Sequence, residues 1–165
     1  MTVNDLKRLF NYGYWANAQL FEVVARLTPE EFTQPVAGSY GSIRNTLVHT
    51  MSAEAGWLDR CGGPKRGPKL DPASFPTFDL VHRHWQKVEG QVREFLTTLR
   101  DEDLARRLEY SFGPNDNHSG TIADMLQHAA NHAVHHRGQV ALLLRMQGHT
   151  PGDFDLLFYD RKTAE

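Results

Sequence analysis

Four histidines fall within nine consecutive positions, His128, His132, His135 and His136, in a chain of 165 residues that holds nine in all. Residues three and four apart share a helix face, so in helical conformation these imidazoles form a stripe. Two histidines at i and i+4 can aim ring nitrogens at one atom, and neutral imidazole nitrogen is a good transition-metal ligand. His128/His132, His132/His136 and His132/His135 all have usable spacing. Three ligands of one ion rarely come from one stripe, so a third is expected from another element, and His49 is the candidate. Three protein ligands with an open position describe a catalytic zinc site. The same donors suit nickel, copper or iron. Histidines left over from the set, His128 or His135 among them, are expected to support a ligand, carry a proton or face solvent.

Other metal and nucleophile chemistries lack their residues. No His-Glu-x-x-His occurs, because Ala133 and Val134 follow His132, so a zincin protease has no general base. No Glu-x-x-His pair exists to build a ferritin-like di-iron centre. A single cysteine, Cys61, makes neither a zinc finger nor an intramolecular disulfide, which fits a reducing, cytoplasmic setting. Cys61 ends a helix and is expected to have no catalytic task. Ser42, Ser52, Ser111 and Ser119 lie in no nucleophile motif, and there is no phosphate-binding loop. Net charge is −2 with no basic run, so nucleic acid is not an expected partner. No apolar run reaches the roughly 20 residues that cross a bilayer. The N-terminus carries Asp5 and Lys7 and does not read as a signal peptide.

The stripe needs a helix, and the stretch from Gly120 to Gly148 supplies one, opened by Thr121 or Gly120, rich in Ala, Leu, Met and Gln and stopped by glycine. Helical spacing predicts a first helix from Val3 to about Leu27 with Asn4 as its cap. A short helix follows on Thr28-Pro29-Glu30-Glu31. Ser42 caps a second long helix to about Arg60, with Leu47, Met51 and Leu58 inward and His49 beside that stripe. Thr77 starts a third to about Leu99. Between them, residues 65–76 read as a long Gly/Pro/Lys loop, either a lid or a crossover. Alternation at Leu108–Phe112 before turn residues predicts a short hairpin. His82 and His84 are assigned to surface and seam, and His118 and His149 to exposed loops. Trp15, Trp57 and Trp85 are assigned to core or pocket lining, and Arg137 to a structural pairing. Phe154, Leu156, Leu157, Phe158 and Tyr159 are expected to pack back on the bundle. The sum is a single all-α domain over residues 1–165, a four-helix bundle in up-down-down-up order.

Asn131-His132-Ala133-Val134-His135-His136-Arg137-Gly138-Gln139 closely resembles the closing signature of the DinB/YfiT-like family. Tyr14-Trp15-Ala16-Asn17, His49 in mid-helix and the ending Pro151–Tyr159 are similar to further family segments in the right order. The resemblance implies a bundle that binds one divalent metal, usually nickel or zinc, through His49, His132 and His136. It also implies a homodimer and a thiol-dependent S-transferase acting on small electrophiles, since characterised relatives use bacillithiol, mycothiol or glutathione. The alternative is a non-catalytic metal-binding bundle of the stress or damage response.

Overall fold

A computed structural model describes residues 1–163. Helix α1 runs Val3–Val24 and is capped by Thr2, not Asn4. Thr2 Oγ1 accepts from the Asp5 amide while Asp5 Oδ2 accepts from the Thr2 amide, so starting two residues earlier satisfies two otherwise orphaned donors. The short α2, Pro29–Thr33, repeats this reciprocal cap with Thr28 and Glu31. Ser42 caps α3, Ile43–Arg60, and Thr121 caps α5, Ile122–Met146. Thr77 precedes α4, Phe78–Thr98, but its side chain makes no capping bond. The expected hairpin is β1, Arg107–Ser111, paired antiparallel with β2, Asn117–Thr121. A last helix, α6, spans Leu156–Thr163.

Side-chain pairings fix the direction of each long helix. His49 meets His132 and Trp57 meets His128, so α3 descends as α5 rises. Phe10 shares a small cavity with Ala130, and further along α1 Asn17 bonds Arg137, so α1 and α5 run together. Asn11 meets Arg93 while Phe21 meets Phe78, so α4 opposes α1. The order is up-down-down-up. Leu6, Leu20, Met51, Val81, Leu126 and Leu144 are almost fully removed from water at the centre, each side chain contributing about 1.5–3 kcal/mol.

Because α3 and α4 run the same way, the chain must travel back along α3, whose 18 residues span about 27 Å. That explains the length of the segment between them. It is a crossover with its own anchors, a 3-10 turn at Pro72–Ser74 capped by Asp71 and a buried Phe75. No helix among the described residues is long and apolar enough to cross a membrane.

The tail packs less completely than its composition suggests. Phe154 lies against the core, and Tyr159 meets the rings of Tyr12 and Trp15 at 6.0 and 5.7 Å. Leu157 and Phe158 remain 68% and 41% exposed, because α6 lays only one side on α1. His118 sits on β2 rather than in a loop, bonded to Asp116 at 2.6 Å. His149 is half-buried, not free, and its Nε2 lies 3.0 Å from Glu31 Oε1.

Candidate metal centre

The α3/α5 contact places His49 opposite the histidine stripe. His49 Nε2 lies 3.2 Å from His132 Nε2, which lies 3.0 Å from His136 Nε2. All three ligand atoms fall within 4.8 Å of one another. A tetrahedral ion with bonds of 2.0–2.1 Å holds its nitrogens roughly 3.3 Å apart. The donor set therefore fits one divalent ion: three nitrogens of one chemical kind converge on a single point, and among the described residues no carboxylate belongs to the group.

Protonation favours this reading. Partial burial, then the neighbouring His136, presses the His132 pKa down to about 4. The same causes bring His49 to about 4, with Lys69 adding to them, and burial also lowers His136. At neutral pH these rings are uncharged and carry lone pairs. The tautomer of the most buried ring is set by Gln139: His136 Nδ1 donates to Gln139 Oε1 at 2.7 Å, leaving Nε2 to face its partners. Ser39 Oγ donates to the same oxygen at 2.8 Å, and Gln139 Nε2 donates to His135 at 3.0 Å. Hydrogen-bond partners of this kind orient ligating histidines and raise their basicity. Tyr40 stacks on His49 with ring centres 3.7 Å apart.

The i,i+4 pair that takes part is thus His132/His136. His128 is exposed, 4.6 Å from the Trp57 ring, and His135 faces outward. Both stay out of the three-nitrogen group. One side of the group opens on a cleft of about 690 Å³ lined by His128, Trp57 and Phe112.

The description DinB family matches residues 1–165. The chain belongs to the DinB family. It is 25% identical to Protein DinB of Bacillus subtilis (strain 168) over 165 residues, covering 96% of each chain. Its fold is similar to that of a DinB-like protein from Bacillus cereus ATCC 10987, with a TM-score of 0.78, 23% identity and coverage of 92% and 97%. A conserved protein from Enterococcus faecalis gives a TM-score of 0.62 at 16% identity, with coverage of 88% and 96%.

In this DinB-family chain, sequence reasoning passed over three groups. Gln139 stood inside the quoted signature without a role. Glu54 follows Leu47 and Met51 at core spacing and precedes Leu58, an acid on an apolar face. It is buried and accepts from Tyr14 Oη at 2.7 Å. Arg137 reads correctly as structural: it is buried and donates to Asn17 Oδ1 at 3.1 Å. Arg60, Arg66 and Lys69 meet at the cleft only because the crossover folds back, which spacing along the chain does not reveal.

Proposed function

We propose that this chain is a divalent-metal-dependent enzyme, a thiol-dependent S-transferase acting on small electrophiles, with His49, His132 and His136 as the ligands. Nickel or zinc is the metal that the family resemblance implies for these three imidazoles. The observation that carries the reading is the convergence of three uncharged Nε2 atoms on one point beside an open cleft. A bound ion would lower the pKa of a thiol or water at its open side toward neutrality.

The remaining work falls to side chains. Gln139 keeps the proton on His136 Nδ1 and so keeps the ring oriented. Tyr40 covers His49 and shields that flank from water. His128, exposed on the cleft wall, is placed to accept the proton that a thiol sheds. Trp57 and Phe112 offer an apolar seat for the body of an electrophile.

A homodimer formed in the cytoplasm as one domain completes the proposal. Exposed Val134, Leu142 and Met146 share one face of α5 and support a helix-to-helix contact between copies. The lone cysteine supports a reducing compartment.

The test is elemental mass spectrometry on tag-free protein beside His49→Ala, followed by turnover assays with bacillithiol, mycothiol and glutathione against small alkylating agents. About one ion per chain, lost in the variant together with turnover, is the expected result. Equal metal in both proteins would remove His49 from the site. Bound metal with no turnover for any thiol would leave a non-catalytic metal-binding bundle.

A further inference from the structure

The cleft beside the histidines also carries positive charge. Arg60, Arg66 and Lys69 line it, and among the described residues no aspartate or glutamate does, although the whole chain carries a net charge of −2. None of the three makes an ion pair among the described residues. Asp59, next in sequence to Arg60, is taken by Lys65 Nζ at 2.8 Å and by the Arg66 amide at 3.4 Å. Glu109 borders the two arginines on their outer side, again without an ion pair.

The two guanidiniums are close to each other as well as unpaired. A side chain added at Gly56 would meet Arg66 Nη1 at 3.0 Å and Arg60 Nη1 at 3.1 Å. Both nitrogens thus crowd one point above the helix backbone. Arg60 cannot swing away freely, because its guanidinium is held against the rings of Trp57 and Phe112, 5.0 and 4.8 Å from their centres. Burial first, and then the charge of Arg66, press the Arg60 pKa downward against the opposing pull of Asp59. Two unpaired guanidiniums whose terminal nitrogens approach one point can together recognise a carboxylate or phosphate.

We propose that Arg60 and Arg66 form an oxyanion-binding fork in the same cleft as the three histidines, so that the molecule bound there is an amphiphilic anion. Its anionic group sits at the two arginines, and its apolar body lies on Trp57 and Phe112. Lys69 adds long-range attraction from the crossover. The fork stands on its own geometry. The corollary that the thiol or its electrophile is the acidic partner rests on the function proposed above.

Titration calorimetry on the full chain, as isolated and after chelation, tests the fork with sodium succinate and with inorganic phosphate. Saturable binding of either anion is expected, weakened at least about tenfold in R60Q/R66Q. R66Q alone, a change in the loop that leaves α3 intact, should show most of that loss, and K69Q only about twofold. Preference for succinate identifies a carboxylate ligand, and preference for phosphate identifies a phosphoryl group. No binding of either anion, or equal binding in wild type and both arginine variants, overturns the fork. A second arm loads the chain with cobalt and follows sulfur-to-cobalt absorption with mercaptosuccinate and with neutral thioglycerol. An advantage of about tenfold for mercaptosuccinate, erased in R66Q while thioglycerol is unaffected, supports the corollary. Equal affinity for the two thiols overturns the corollary and leaves thiol chemistry standing. Anion binding with no sulfur absorption supports the fork and overturns the thiol-transfer reading.

Discussion

Within six residues α3 offers His49 to one side of the bundle and Glu54 to the other, and the two surroundings could hardly differ more. His49 meets two further imidazoles at the edge of a cleft of about 690 Å³. Glu54 meets Tyr14 beside a small space of about 30 Å³, room for one or two waters. Burial lowers the pKa of the histidines and raises that of Glu54 to about 7, because in each case it disfavours the charged form. One region holds lone pairs ready for an incoming cation. The other holds a proton within the fold. The difference teaches that a buried titratable group marks a site for chemistry only where its free electron pairs face open space.

The largest expected effect separates the two regions by metal retention. His132→Ala removes the central ligand and should lower metal affinity at least about a hundredfold, read by competition with a chromophoric chelator. The melting temperature of the chelated protein should barely move. Arg137→Ala should do the opposite, retaining metal while costing about 1–3 kcal/mol in urea unfolding, because it leaves the buried Asn17 Oδ1 without its donor. If Arg137→Ala lost metal and kept stability, the division between site and core would be wrong.

Acid and base should act on the regions with opposite sign. Burial presses His49 and His132 down to about 4 in the fold against 6.5 when unfolded, so their contribution is complete above pH 6.5 and is lost as pH falls toward 4. Glu54 holds its proton up to about pH 7 when folded, against 4.5 when unfolded. Its contribution is complete below pH 4.5 and is lost as pH rises through 7. Glu54→Gln should therefore gain on wild type between pH 5 and pH 8 by about 2–3 kcal/mol, or about 5 °C in melting temperature. A gap that stays constant with pH would show that Glu54 is already ionised in the fold. The smallest effect concerns orientation alone: Gln139→Leu should weaken metal binding about tenfold with unchanged stability, because the ring remains but its tautomer is no longer held.

The sequence was most legible where local chemistry and periodicity agree. The caps at Ser42 and Thr121, the histidine helix and the hairpin before it were all readable from adjacent residues. The pairing of His132 with His136 was one of three possible registers, and spacing did not choose among them; the family resemblance did. Thr2 displaced Asn4 as a cap because Asp5 reciprocates three residues on, a pattern visible in hindsight. Glu54 was visible too, an acid in the row Leu47, Met51, Leu58. The arginine pair was hidden, since only the return path forced by parallel α3 and α4 brings Arg66 to Arg60.

Cys61 closes α3 fully buried, and burial pushes its thiol up to about 12. At neutral pH only on the order of one molecule in 10⁵ carries the thiolate that reacts with electrophiles. The folded chain therefore resists alkylation at its own sulfur. Its immunity comes from where its own sulfur is kept, so a fluorescent maleimide that leaves the folded protein unlabelled and stains it only in denaturant would serve as a direct gauge of how intact the bundle is.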